Sequence, residues 1–160
     1  MLKKFKKVLK VIAIILSVLL IALIIMFYRF STPKSDKKII NDFVESNSQV
    51  YITEHTFKEF KYRVIETQKE MDTLLPIIVF IHGSIGSALD FKKYLVDEEL
   101  NKKANLISYD RIGYGTKQTG NVQESIAFET DLLEDLTKDL IKKNTILVGY
   151  SYGGPIALAS

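Results

Sequence analysis

The stretch TILVGYSYGGPIALAS, residues 145–160, combines three patterns that together predict a local fold. Its first residues form a short apolar run that is typical of a buried strand. The next residues fit G-x-S-x-G, with Ser151 at the centre. A segment of small residues follows, and Pro155 stands where the first turn of a helix tolerates proline. The sequence therefore predicts a strand, a tight turn that presents Ser151, and a helix that begins near Tyr152.

The glycines of this motif have a steric explanation. A serine that projects above the edge of a sheet sits on a strained turn, where side chains two positions away would collide with the neighbouring strand and helix. Gly149 and Gly153 remove that collision, and we expect Gly154, Ala157 and Ala159 to let the helix pack closely on the sheet. The alternative is a chance match in a glycine-rich turn, but the surrounding strand, helix and proline favour a serine nucleophile.

A serine nucleophile needs hydrogen-bond donors for the oxyanion that its attack creates. The backbone N–H of Tyr152, at the start of the predicted helix, is one expected donor. The second is expected from the loop after the apolar run at 76–81, where Ser84 N–H is the first choice and Ile85 N–H the second. His82 lies on the same loop, and we expect its imidazole to brace the loop and not to act as catalytic base.

The loop HGSIGSA, residues 82–88, also contains glycines of the kind found in phosphate-binding loops. It lacks the G-K-[ST] ending of a P-loop and the spacing of the G-x-G-x-x-G dinucleotide motif, so nucleotide binding is not expected. The chain has no cysteine, which excludes disulfides, thiolate zinc sites and a cysteine nucleophile. The sequence implies no metal and no organic cofactor.

Apolar runs and amphipathic segments alternate along the second half of the chain. The runs PIIVFI, NLISYD and TILVGY predict three buried strands, and the charged segments between them predict helices. Such alternation indicates a parallel sheet with right-handed crossovers. The earlier segments VYITEHTF and FKYRVIE alternate polar with aromatic or branched residues and predict an antiparallel hairpin. The predicted fold class is therefore α/β.

The longest of these helices is predicted for residues 125–144. Apolar residues recur on one of its faces, namely Ile126, Leu133, Leu136, Leu140 and Ile141. We expect that face to pack in the core and to have no catalytic role.

The first thirty residues have a composition that suits a membrane. Residues 11–28, VIAIILSVLLIALIIMFY, carry no charge and would span roughly 27 Å as a helix, close to the thickness of a bilayer core. Lysines precede this run and Arg29 follows it, which predicts a single pass with the amino terminus in the cytoplasm and the remainder outside. A cleaved signal peptide is the alternative, but the run is long for one and the exit FYRFSTPKS offers no small-residue cleavage site.

These patterns divide the chain into a basic flank and transmembrane anchor (1–30), a polar linker (31–48) and part of an α/β domain (49–160). The centre of the linker, IINDFVE, is compatible with a helical turn. The formal net charge of +3 comes from the first part, because 16 of the 22 basic residues and all 19 acidic residues follow residue 30. Nucleic-acid binding is not expected, since it requires clustered positive charge on the folded part.

Three motifs in chain order, H-G-S at 82–84, D-R-I-G-Y-G at 110–115 and G-Y-S-Y-G-G at 149–154, resemble the amino-terminal half of the α/β-hydrolase superfamily. The resemblance implies an eight-stranded, mostly parallel sheet, Ser151 as nucleophile, the N–H groups of Ser84 and Tyr152 as oxyanion hole, and a structural loop at 110–115. Related haloalkane dehalogenases and epoxide hydrolases carry Asp at the nucleophile position. Ester, thioester, amide or short peptide substrates are therefore expected here.

In this superfamily an acid and then a histidine follow the nucleophile along the chain. Only YGGPIALAS follows Ser151, and both histidines, His55 and His82, precede it. His55 lies in a predicted edge strand, so it is not expected to replace the missing base. We therefore expect a fragment of a longer, membrane-anchored serine hydrolase, with the acid and histidine beyond residue 160 and little activity in the polypeptide as written.

Two further expectations concern partners. Small esters, lipids and peptides all fit the predicted chemistry as substrates, and the cell membrane is the expected location of the anchor. The alternatives to an enzyme are a non-catalytic protein of the same fold that binds a ligand or a partner at the membrane, and an inactive truncated product.

Overall fold

The computed structural model describes residues 2–115, 121–123, 125–138, 140 and 144–160. The chain forms two units, one up to Pro33 and one from Lys34 to Ser160. The first unit contains helix α1 (Leu2–Ser31). Residues Phe5–Arg29 of α1 are long and apolar enough to cross a membrane, with a mean hydropathy of 3.2 in the most apolar window.

The second unit alternates strands and helices. It begins with helix α2 (Asp36–Val44), strands β1 (Tyr51–Phe57) and β2 (Phe60–Glu66), and strand β3 (Ile77–Ile81). A 3₁₀ helix (Ala88–Phe91), helices α3 (Lys92–Leu95) and α4 (Glu98–Asn101), and strand β4 (Asn105–Tyr109) follow. Helix α5 (Ile126–Thr137), strand β5 (Thr145–Gly149) and helix α6 (Gly153–Ala159) come next.

The strands form one five-stranded sheet in the order β1-β2-β4-β3-β5. Strand β3 pairs in parallel with β4 on one side and with β5 on the other, whereas β1 and β2 form an antiparallel hairpin. The predicted parallel sheet and amino-terminal hairpin are confirmed. Ile81 pairs with both Tyr109 and Gly149, so the loops that follow these three strands begin side by side.

Strands β3 and β4 are covered on both faces, as continuous apolar strands predict. The predicted burial of β5 is wrong for the described residues, because β5 lies at an edge of their sheet and its side chains are partly or fully exposed. Side chains of β3 alternate between two core clusters, with Val79 in one and Phe80 in the other. The first cluster also contains residues of α5 and α6, namely Leu132, Leu133 and Ile156. The second contains residues of α2 and α3, namely Ile39, Phe43 and Leu95.

Helix α5 agrees with its predicted apolar face. Ile126, Leu133, Leu136 and Leu140 are all in the first core cluster or packed against it, and Ile141 lies outside the described residues. Ser125 caps the helix by accepting a hydrogen bond from the Phe128 N–H (3.3 Å). Glu129 is also fully buried in α5, which hydrophobic periodicity does not predict.

Residues 36–44 differ from the expected polar linker. They form α2, and its Ile39 and Phe43 are both fully buried. Asp36, in the first turn, forms an ion pair with Arg63 of β2 (3.1 Å). Two apolar residues one helical turn apart are sufficient to attach a short helix to a sheet, although the surrounding sequence is polar. Helix α2 therefore belongs to the folded unit.

Candidate active site

Ser151 lies in the turn between β5 and α6. Its φ is +51°, in the left-handed region, and its side chain is exposed. This conformation costs a residue other than glycine about 1–2 kcal/mol, and it persists only where the surroundings impose it. Helix α6 begins at Gly153 with Tyr152 as its N-cap residue, within one residue of the predicted start. The strand, strained turn and helix predicted from the sequence are therefore all present.

Hydrogen bonds hold this turn in place. Gly153 N–H donates to the Tyr150 carbonyl (2.9 Å), and Gly154 N–H donates to the Ser151 carbonyl (2.9 Å). Tyr150 N–H donates to the carbonyl of Ile81 at the end of β3 (3.0 Å). The turn is therefore fixed both within itself and to strand β3.

The motif glycines remove steric clashes with the backbone, as predicted. A Cβ atom at Gly153 would lie 2.1 Å from the Ile81 carbonyl oxygen, and one at Gly149 would lie 2.2 Å from the Gly153 carbonyl oxygen. The expectation for Gly154 is wrong, because a Cβ atom there would meet nothing within 4 Å. The close approach of helix to sheet depends on Gly153 and not on Gly154.

The loop after β3 touches Ser151. A Cβ atom at Gly83 would lie 2.9 Å from the Ser151 Cβ and 3.4 Å from its Oγ. Ser84 comes next in the chain and is exposed, and within the described part of the chain its backbone N–H has no hydrogen-bond acceptor. Ser84 and Tyr152, the two predicted oxyanion donors, thus belong to the two segments that meet at Ser151. Sequence reasoning did not single out Gly83, although the H-G-S motif contains it.

His82 is fully buried, and hydrogen bonds engage both of its ring nitrogens. Nε2 accepts from the Arg111 backbone N–H (2.9 Å), so Nδ1 carries the proton and donates to the Gly83 carbonyl (2.8 Å). Burial lowers the pKa of His82 to about 4. The imidazole braces the loop, which confirms the role predicted for it.

His55, the other histidine, lies in β1. Its Nε2 is 3.1 Å from the Thr53 Oγ1. Strands β1 and β5 form opposite edges of the sheet, so three strands separate His55 from the turn that carries Ser151. Neither histidine of this sequence is placed to accept a proton from Ser151.

Arg111 links the segments that surround Ser151. Its guanidinium is buried and donates to the carbonyls of Gly83 (3.3 Å) and His82 (3.5 Å). The guanidinium carbon also lies 4.5 Å from the ring centre of Tyr152 and 5.0 Å from that of Tyr114. One cation therefore contacts both the loop after β3 and the residue that follows Ser151.

Glu129 of α5 balances the charge of Arg111. Its Oε1 accepts from the Arg111 Nε (2.9 Å), and both side chains are buried. Burial raises the pKa of Glu129, and the guanidinium of Arg111 opposes that shift.

Asp110 is also buried and accepts hydrogen bonds from the Ala88 N–H (2.8 Å) and the Arg63 Nε (2.8 Å). These contacts agree with a structural role for the loop at 110–115.

Metal binding finds no support in the described residues, which contain no cluster of three or more His, Cys, Asp or Glu side chains able to hold an ion.

The buried histidine leads to a prediction about pH. The unfolded chain takes up a proton at His82 near pH 6.5, whereas the folded protein keeps the imidazole neutral down to about pH 4. The unfolded state therefore binds the extra proton between these values, and the stability present above pH 6.5 is lost as the pH falls. We expect this residue to lower the free energy of unfolding by about 3 kcal/mol across that window.

Urea denaturation at a series of pH values checks this prediction. The matched control is His82→Gln, which has no titrating ring and should show a shallower dependence on pH. Equal slopes in the two proteins between pH 6.5 and 4 would contradict the prediction.

Comparison with known proteins supports the architecture. A model described as the alpha/beta hydrolase family matches residues 78–160. No curated protein matches the chain. A membrane phospholipase A, described as a bacterial virulence factor, matches with a TM-score of 0.61 and 13% identity, over 94% of this chain and 46% of that one.

Two other solved structures illustrate the range of the fold. A thioesterase domain from the curacin biosynthetic pathway has a TM-score of 0.57 and 15% identity, over 70% of this chain and 39% of its own. A loop variant of a haloalkane dehalogenase from Bradyrhizobium elkanii has a TM-score of 0.56 and 19% identity, over 68% of this chain and 34% of its own. The chain thus spans less than half the length of each of these three structures.

At such identities the structural similarities show the fold alone. The family model matches 83 of the 160 residues and includes β3, β4, β5 and α6, the elements that surround Ser151. The chain therefore belongs to the alpha/beta hydrolase family.

Proposed function

We propose that the full-length protein is a membrane-anchored serine hydrolase that cleaves ester, thioester or amide bonds, with Ser151 as nucleophile. One observation carries the proposal. Ser151 is exposed on a left-handed turn at the end of β5, and the loop after β3 lies against it through Gly83. Strain that the surroundings impose on an exposed nucleophilic residue is typical of a catalytic site.

The proposed reaction is acyl transfer. The Ser151 Oγ attacks the substrate carbonyl carbon, and the developing oxyanion accepts hydrogen bonds from the N–H groups of Ser84 and Tyr152. The leaving group departs with a proton, and water then releases the acyl group from Ser151. Neither His55 nor His82 is proposed as the base that accepts the serine proton, since hydrogen bonds engage both side chains. No step requires a metal or an organic cofactor.

The residue type at the turn supports carbonyl substrates. A hydroxyl activated by a base suits attack on an acyl carbon, and the thioesterase and phospholipase among the similar structures are named for acyl substrates. The similar haloalkane dehalogenase shares the fold, but a fold by itself does not determine the reaction.

Covalent labelling tests this function directly. A fluorophosphonate probe should label the full-length protein, and peptide mapping should find the adduct on Ser151. The matched control is Ser84→Ala, which keeps its backbone N–H and should still be labelled. Failure to label, or an adduct on another serine, would contradict the proposal. It would favour the alternative of a non-catalytic binding protein, which the engagement of both histidines also supports.

The anchoring part of the proposal has its own prediction. These 160 residues contain no cysteine, so a single introduced cysteine is the only thiol among them, and the unsubstituted protein is the control for labelling elsewhere. A maleimide that cannot cross membranes should label Lys69→Cys on intact cells and Lys6→Cys only after lysis, because the lysine-rich flank should remain in the cytoplasm. Labelling of Lys6→Cys on intact cells would contradict this orientation. A mature protein that lacks the first residues would instead indicate a cleaved signal peptide.

A further inference from the structure

Ile85 has a backbone conformation that branched residues rarely adopt. Its φ is +59°, and a β-branched residue in the left-handed region is a genuine outlier. The loop itself imposes this conformation, because the chain turns back on itself between Gly83 and Gly86. A Cβ atom at Gly86 would lie 2.2 Å from the Asp90 Oδ2 and 3.2 Å from the Gly83 carbonyl oxygen.

Packing within the described residues does not explain why an isoleucine stands at this position. The side chain is 89% exposed there, so it contributes little to the core that these residues form. Glycine or asparagine would adopt the same backbone with less strain. A strained and exposed apolar residue calls for another explanation, and such outliers concentrate at functional sites.

The position of Ile85 near the candidate nucleophile provides an explanation. Gly83, two residues earlier, lies against Ser151, where its Cβ would be 2.9 Å from the serine Cβ. Tyr150, the residue before Ser151, is 63% exposed. Two large and exposed apolar side chains therefore belong to the segments that meet at the candidate nucleophile.

We propose that Ile85 is a specificity-determining residue that contacts the apolar chain of an acyl group held at Ser151, so that the enzyme prefers long acyl chains to short ones. The inference rests on the proposed serine hydrolase function. Apolar contact stabilises a complex in proportion to the area removed from water. A long acyl chain offers this area to Ile85, whereas a short one offers little of it.

The test compares hydrolysis of p-nitrophenyl decanoate with that of the butyrate ester by the full-length protein. Ile85→Gly should lower kcat/KM for the decanoate about tenfold and leave that for the butyrate within about twofold. Ile85→Asn, a second residue that tolerates the left-handed region, should act similarly, and Ile85→Leu should keep the preference for the long chain.

Lys58→Gly is the matched control. Lys58 also has a positive φ, +53°, but it lies in the turn between β1 and β2. Ile85→Gly should raise the urea midpoint by relieving strain, whereas Lys58→Gly also loses contacts with the rings of Phe57 and Phe128. Only Ile85→Gly should change the ratio of the two esters.

The outcomes distinguish the proposed role of Ile85 in specificity from the proposed serine hydrolase function. An unchanged ester ratio in Ile85→Gly, or an equal loss on both esters, would overturn the role of Ile85 in specificity while Ser151-dependent hydrolysis persists. Wild-type protein without Ser151-dependent hydrolysis would overturn the proposed function, and the inference about Ile85 with it.

Discussion

Ser151→Ala is expected to lower kcat/KM for ester hydrolysis by the full-length protein by a factor of at least about 10⁴. Alanine removes the only atom that forms the acyl-enzyme, while the oxyanion donors and the binding surface stay in place. The residual rate would come from those parts alone.

Stability measurements separate this loss from misfolding. Alanine and serine face the same backbone strain at φ +51°, so the urea midpoint should change little. Ser84→Ala, which alters a neighbouring hydroxyl but no proposed catalytic atom, should retain most of the activity. A Ser151→Ala enzyme within tenfold of wild type would rule out the proposed nucleophile.

Gly153→Ala is expected to reduce the free energy of unfolding by about 3 kcal/mol or more. The added Cβ would lie 2.1 Å from the Ile81 carbonyl oxygen, 2.8 Å from its carbonyl carbon and 3.0 Å from the His82 carbonyl oxygen. All three atoms are backbone atoms at the end of β3, so relief of the clash requires α6 to move away from the sheet.

The adjacent glycine offers a closely matched control. A Cβ atom at Gly154 meets nothing within 4 Å, and alanine is the better helix former. We therefore expect Gly154→Ala to be neutral or to stabilise the protein by up to about 1 kcal/mol. Urea denaturation of both variants checks the pair of predictions. Equal effects of the two substitutions would show that the close approach at Gly153 does not limit stability.

Short sequence patterns predicted the parts of the fold that depend on residues close together in the sequence. The apolar run, the glycines on either side of Ser151 and the early proline lie within a few residues of one another, and together they specify a strand, a turn and a helix. The hairpin could also be predicted from the alternation of residue types along β1 and β2, although residues on both faces of β2 are buried.

Contacts between residues that are far apart in the sequence could not be predicted from local patterns. Glu129 stands among acidic residues on a helix, and nothing nearby in the sequence shows that it is buried against Arg111, 18 positions away. The burial of helix α2 was not predicted, because its attachment to the sheet depends on Ile39 and Phe43 within a polar segment. Gly154 was misread because composition does not show which glycine faces the strand.

Helix α2 also decides where a water-soluble derivative of this protein should start. Arg63 reaches across three parts of the second unit, since it donates to the Lys34 carbonyl (2.8 Å), Asp36 (3.1 Å) and Asp110 (2.8 Å). Trimming the chain to residue 49 would remove two of these acceptors together with two core side chains. A shortened form that begins at Lys34 would keep them all.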